Sequence, residues 1–275
     1  MGLDINTNLA SLQASNNLSN SQNMLATSMA RLSSGYRINS ASDDAAGLAI
    51  STSMDQQVQS YTVAQRNAND AISMAQTADG ALGSVSDILG TMQTLATEGA
   101  NGAISTTDRS YLQTEFSQLQ AEIKNILTST KYNGIQVVNQ TAASVSFQVG
   151  INNVSTDRIS VTFGGVNLNA LLTTTTQVGG TAGNSQASLG AIDTALSTVS
   201  TSRANFGAAV NRFDVVVSNL QTVSLNTSAA ESRIKDVDVA TETANLSREQ
   251  VLLQAGASVL AQANQAPQVA LKLLQ

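Results

Sequence analysis

MDQQVQSYTVAQRNANDAISMAQTADGALGSVSDILGTMQTLA, residues 54–96, is the stretch that decides the fold. Met54, Tyr61, Ala68, Ala75, Leu82, Leu89 and Ala96 recur at a strict seven-residue interval, and Val58, Ile72, Val85, Met92 and Leu95 fill neighbouring positions. A heptad sustained this long predicts a coiled-coil-like helix, about 65 Å from end to end. The only proline is Pro267, so long helices meet almost no hard breaker. Gly99-Ala100-Asn101-Gly102 ends the run.

Working downstream, Ser105-Thr-Thr-Asp108 has the order of a capping box. The stripe Leu112, Phe116, Leu119, Ile123, Leu127 then reads as a second helix, with Asn133-Gly134 closing it. The period next drops to two. Val145, Phe147 and Val149, then Ile159, Val161 and Phe163, alternate with polar residues on either side of a polar connector, which predicts a β-hairpin with one buried face. Residues 169–184 are rich in Thr and Gly and read as loop. Helical spacing returns at Leu189, Ile192, Leu196, Val199, Phe206, Val210, Phe213, Val217 and Leu220, with Arg203 in the one missing slot. A last helix carries Ile234, Val237, Thr241, Ala244, Val251, Ala255 and Val259, running on towards Leu273. Upstream of the heptad, Ile5, Leu9 and Leu12, and then Leu18, Leu25, Met29 and Leu32, form helical stripes that stop at Ser33-Ser34-Gly35. Ser42 and Asp43 are the expected caps of the long helix. The fold class is therefore mainly α: a long coiled-coil-like helical bundle with paired terminal helices and a small β-hairpin element in the middle.

Composition narrows the function. Aromatics make up 3% of the 275 residues, so Ala, Leu, Ile and Val must do most of the packing, as thin helical bundles allow. Charged residues are 12%, about half the usual share, and the net charge of −6 comes without a basic patch. Nucleic acid and anionic membrane surfaces are poor partners for such a chain. With no Cys and no His, disulfides, Cys/His metal sites and the usual neutral-pH general base are all missing. MGLDINTNLA has neither a basic n-region nor a continuous apolar core, so a Sec-type signal peptide is not expected there, and no run of about 18 apolar residues predicts a membrane span.

The two ends are the unusual feature. From Met1 to Ser42 the only charged residues are Asp4, Arg31 and Arg37, and from Gln250 to Gln275 only Lys272. Chain ends are normally polar and frayed, whereas these keep apolar stripes among Ala, Ser, Asn and Gln. A single such helix must pack on something. The simplest partner is the other end, and the uncharged faces left over are expected to bury against other copies of the chain. Ile5, Leu9, Leu12, Leu18, Leu25, Leu32, Val251, Val259, Leu271 and Leu273 are the positions expected to carry self-association.

At this point the residues become specific. INTNLASLQASNNLSNSQNMLATSMARLSSGYRINSASDDAAGLAIS (5–51) closely resembles the N-terminal signature of bacterial flagellins. SRIKDVDVATETANLSREQVLLQAGASVLAQANQAPQVALKLLQ (232–275) resembles their C-terminal signature, and LQAEIKNILTSTKYNGIQVV (119–138) is similar to their second helix and following turn. The resemblance implies a secreted, extracellular filament subunit of the flagellum used for motility. It implies an inner-tube domain (D0) from 1–43 with 232–275, and a D1 helical bundle from 44–137 with 185–231. Residues 138–184 are then the hairpin and loop part of D1, and the outer D2 and D3 domains are absent. The implied partners are other copies, the flagellar export apparatus, an export chaperone, and the hook-associated junction and cap proteins, with no cofactor. In flagellins sensed by the vertebrate Toll-like receptor, a key Arg and a nearby Glu precede Leu-Ala at the end of the long helix. Anchored on Leu95-Ala96, this chain carries Thr91 and Thr94 there, which argues against receptor activation.

Candidate chemical sites are weak beside this. Adjacent helical residues point about 100° apart, so Asp43 and Asp44 do not converge on a substrate. Gly164-Gly165 and Gly179-Gly180 lack the Lys and the strand-to-helix setting of a phosphate loop. The glycosylation patterns at Asn139, Asn153 and Asn226 arise readily by chance in so Asn- and Ser-rich a chain, and Met54 and Met92 sit on core stripes. No catalytic, cofactor or metal residues are expected. A hook–filament junction protein of the same export system is the alternative to a filament subunit; a coiled-coil signalling or adhesin module stands further off, and an enzyme furthest.

Overall fold

A computed structural model describes residues 8–173 and 176–273, with side chains as far as Gln265. In chain order the elements are α1 (Leu9–Ser34), α2 (Ala45–Gly99), α3 (Thr106–Ser129), β1 (Lys131–Tyr132), β2 (Ile135–Gln136), β3 (Ala143–Gln148), β4 (Arg158–Phe163), α4 (Asn169–Leu172), α5 (Ala182–Lys235) and α6 (Val239–Leu273). The mainly helical bundle with a small hairpin is thus the observed architecture. The chain divides into two compact units: Gln57–Leu225 forms one, and the two ends, up to Gln56 and from Asn226, form the other.

The 55 residues of α2 make a rod of about 80 Å. In the Gln57–Leu225 unit it buries two rows at seven-residue spacing, Ala68, Ala75, Leu82, Leu89 and Ala96 beside Ala64, Ala71, Ala78, Val85 and Met92. The six alanines in these rows, three in each, let neighbouring helices approach closely. Phe116, Ile123 and Leu127 of α3 and Ile192, Val199, Phe206 and Phe213 of α5 complete the core. All five phenylalanines of the chain lie in this unit. Phe163 stacks on Phe206 at 5.5 Å, while Phe147 meets Phe213 and Phe163 edge-on at 5.6 and 6.4 Å. Arg203, the polar residue in the α5 stripe, turns outward and pairs with Asp79 at 2.8 Å.

β3 and β4 pair antiparallel with Val145 opposite Val161 and Phe147 opposite Ile159. Ile159, Val161 and Phe163 are buried, so the alternation seen in the sequence is the inward face. The role expected for Asn133-Gly134 needs correction. α3 ends earlier, with the Thr130 N–H on the Ile126 carbonyl at 3.1 Å. Asn133 (φ 47°) and Gly134 (φ 82°) instead form the two-residue turn joining β1 to β2, the setting in which Asn-Gly is favoured because both central residues need positive φ.

The segment expected as plain loop also differs. It contains α4, α5 begins at Ala182, and Leu171 and Val178 are buried. Polar side chains hold its backbone: Gln113 Oε1 accepts from the Val178 and Gly179 N–H groups at 2.6 and 2.9 Å, Gln120 Nε2 donates to the Leu171 carbonyl at 2.6 Å, and Ser185 Oγ donates to the Val178 carbonyl at 2.9 Å. Arg109 is buried at the end of α2. Its Nε donates to the Gly99 carbonyl at 2.9 Å and its Nη2 to the Asn101 carbonyl at 2.8 Å. A fixed cation there satisfies carbonyls the helix leaves open and opposes the negative end of its dipole.

Candidate assembly surface on the terminal helices

In the unit built from the chain ends, α1 and α6 run antiparallel and make the dominant helix–helix contact. Asn8 starts α1: its Oδ1 accepts from the Ser11 N–H at 3.1 Å, and its Nδ2 donates across to the Ala263 carbonyl at 2.7 Å. Ser11 Oγ meets Asn264 Oδ1 at 2.7 Å. Further along, Gly256 faces Leu18 so closely that a Cβ on the glycine would stand 3.1 Å from Leu18 Cδ1. These contacts fix the register. The inner row of α1 is Ser11, Ala14, Leu18, Ser21, Leu25, Ser28 and Leu32; that of α6 is Glu242, Leu246, Glu249, Leu253, Gly256, Leu260 and Ala263. Followed along the pair, small residues oppose leucines in alternate layers, Ser21 level with Leu253 and Ala14 with Leu260.

The pair is clasped at its other end. Gly35 closes α1 in the left-handed conformation (φ 77°), with its N–H on the Arg31 carbonyl at 2.9 Å. Beyond it Tyr36 and Asp236 form an antiparallel bridge: the Arg37 N–H donates to the Lys235 carbonyl at 2.7 Å and the Val237 N–H to the Gly35 carbonyl at 3.0 Å. Lys235 Nζ stands 4.6 Å above the Tyr36 ring and 3.5 Å from Glu231. Both adjoining helix starts are capped by aspartates. Asp44, rather than the expected Ser42 or Asp43, precedes α2 and accepts from the Gly47 N–H at 2.9 Å. Asp43 instead accepts from the Asn39 and Ser40 N–H groups at 3.1 and 2.9 Å, and the Ser40 bonds first of all hold its carboxyl below the usual range. Asp238 begins α6; bonds from the Thr241 side chain, then from the Thr241 and Ala240 N–H groups, lower it in the same way.

The residues expected to carry self-association fall into two sets. Leu18, Leu25 and Leu32 are half-buried in the inner row of α1. Leu9 (72% exposed), Leu12 (57%), Val251 (65%) and Val259 (56%) stand outside it, joined by Met24, Met29 and Leu252, of which the sequence reading had placed only Met29 on a stripe. Ile5 and the side chains of Leu271 and Leu273 lie outside the described residues. The stripe read on the last helix, Thr241, Ala244, Val251, Ala255 and Val259, is exposed throughout, while Ile234 belongs to α5 and Val237 to the connector. The inner face of α6 instead includes two glutamates, Glu242 and Glu249, only 7% and 9% exposed. Thr91 and Thr94 are exposed on α2.

Comparison with known proteins agrees with this architecture. The bacterial flagellin N-terminal helical region matches residues 5–143, and the bacterial flagellin C-terminal helical region matches residues 189–274. A flagellin of Halalkalibacterium halodurans is 42% identical over 98% of this chain and 99% of its own length; one of Xenorhabdus nematophila is 39% identical with the same coverage. The B-type flagellin of Pseudomonas aeruginosa is 48% identical, and that match spans 58% of this chain but only 33% of the longer relative. Among solved structures, the Bacillus cereus flagellin covers 60% of this chain and 94% of its own, at 32% identity and a TM-score of 0.51. A putative flagellar hook-associated protein from Vibrio parahaemolyticus shares the fold at 18% identity and a TM-score of 0.57. With both terminal signatures matched and two relatives aligned almost end to end, the chain belongs to the bacterial flagellin family.

Proposed function

We infer that this chain is a structural subunit that polymerises with copies of itself into the extracellular flagellar filament used for motility. One observation carries the reading. The terminal helix pair has closed its inner rows, yet it still shows Leu9, Leu12, Met24, Met29, Val251, Leu252 and Val259 to solvent with hardly any charge among them. Such a surface marks an interaction site, and in a one-component assembly the matching surface belongs to another copy. On this reading the clasped ends (1–43 with 232–275) line the inner tube and the helices of 44–137 and 185–231 form its wall. Export through the flagellar apparatus with a chaperone, and contacts with junction and cap proteins, complete the partner set; the role is structural and not enzymatic. Thr91 and Thr94 put threonines where a receptor would look for Arg and Glu.

Electron microscopy of purified protein, seeded or salted to polymerise, tests the reading. The parent chain is expected to form filaments, whereas chains lacking either end stay soluble and folded without polymerising. Lysines at Leu9, Leu12, Val251 and Val259 together are expected to abolish filaments by placing unpaired charge in a dry interface. Filaments from the truncated or lysine-bearing chains would sink the proposal. A parent that adds to filament ends but never propagates would identify a junction protein instead.

A further inference from the structure

Glu249 stands on the inner face of α6, packed against α1 of its own chain, and its Oε2 is buried without a hydrogen-bond partner. The register carried along from Leu18 and Gly256 sets it level with Leu25, between Ser21 and Ser28. No cation pairs with it among the described residues. Arg31, the only charged residue of α1, lies about six residues further along, roughly 9 Å on the axis, and acts on Asp43 instead. Arg248, its neighbour on α6, is exposed and points about 100° away. Glu242, the other buried carboxylate of this face, lies two turns off and brings only like charge. Closing the pair therefore strips water from the Glu249 carboxylate with no bond to replace it. A polar group left so is costly, by a factor of about ten or more in the closing equilibrium. From Leu246 to Ala263 every other position of the inner row is uncharged.

We propose that Glu249 is a built-in weak layer of the terminal pair, which lowers the fraction of free copies whose pair is closed and so restrains assembly away from a filament end. The inference rests on the filament reading, in which the closed pair presents the outer faces that copies use. Apparent affinity falls with the fraction of copies in the competent state. A copy adding to an existing end meets that factor once, and the neighbours then hold its pair shut. A nucleus needs several copies closed together, so the same factor applies once for each of them. Glu249 thus slows unseeded assembly far more than growth from a seed.

Glu249→Gln and Glu249→Leu in the full chain provide the test, since both remove the carboxylate at little change in size. Amide hydrogen exchange in α1 and α6 of the free chain is expected to slow about tenfold, while amides of the Gln57–Leu225 unit keep their rates. The lag before unseeded polymerisation should shorten by at least that factor, with a smaller gain in seeded growth. Slowing in either variant supports the inference, so one poorly fitting side chain does not decide it. Glu98→Gln makes the same charge change at an exposed position of α2 and should leave α1 and α6 at parent rates. Three results overturn the inference: exchange in α1 and α6 that is unchanged or faster in both Glu249 variants, slower exchange with the parent's lag, or equal slowing in Glu98→Gln. A parent chain that forms no filaments even from seeds would instead overturn the filament reading, and the exchange comparison would still decide whether Glu249 weakens the pair.

Discussion

Gly256 lies so close to Leu18 that a Cβ added to the glycine would stand 3.1 Å from Leu18 Cδ1, a tight contact that Leu18 could meet only by giving way slightly. Two effects compete at Gly256→Ala. Alanine favours the helix by about 1 kcal/mol over glycine, while Leu18 must retreat a few tenths of an ångström. The expected result is a near-neutral change. Gly256→Leu has no such balance: it wedges the helices apart and moves the outer faces, so filament yield by sedimentation should collapse while the Gln57–Leu225 unit keeps its melting temperature.

Arg109 makes two charge-assisted bonds at the end of α2 in a buried setting. Arg109→Leu leaves the Gly99 and Asn101 carbonyls without that donor, and a loss of about 2–4 kcal/mol is expected. Urea denaturation should show the shift in midpoint. Arg109→Lys should recover only part of it, because a single ammonium cannot reproduce the planar fork that reaches both oxygens.

Gln113 is a narrower case. One oxygen accepts from two backbone N–H groups, those of Val178 and Gly179. Gln113→Leu preserves bulk and removes the acceptor, at an expected cost of about 1–3 kcal/mol. Amide hydrogen exchange is the discriminating measurement. It should accelerate at Val178 and Gly179 ahead of the amides of α2.

Asp238 carries a pH dependence. Bonds from the Thr241 side chain and from the Thr241 and Ala240 N–H groups hold its pKa in the folded chain below the ordinary 3.8. A depressed value means that the stabilisation is complete above 3.8 and is lost as pH falls through the lower folded value. The start of α6 is therefore expected to fray on acidification. Asp238→Asn keeps a capping oxygen without the charge, and NMR of the 239–245 amides should show the acid step vanish in that variant.

Periodicity made much of the fold legible. The heptad in α2, the α5 stripe from Leu189 to Leu220 and the Val145–Phe163 alternation all follow apolar residues whose inner face is apolar. It failed where the inner face is not. The buried row of α6 contains Glu242, Glu249 and Gly256, so the apolar count settled on the opposite side, at Val251 and Val259. That same outer stripe is what the assembly proposal uses. Asn133-Gly134 was legible as a turn, but the two-residue strands flanking it carry too little pattern to distinguish a hairpin from a helix stop. Arg109, Gln113 and Gln120 left no signal, since a polar side chain that caps a distant backbone looks like any solvated residue until the fold brings the two together.

The backbone clasp at Tyr36 and Asp236 also has a mechanical meaning. Pulled apart at the chain termini, α1 and α6 would part like a zipper, beginning where Asn8 meets Ala263 and yielding one layer at a time. Only after the last layer does tension reach the hydrogen bonds joining Gly35 to Val237 and Arg37 to Lys235, which then share the load. The free ends can thus separate and close again at low force, while the clasp keeps them in reach of each other and in phase for re-pairing.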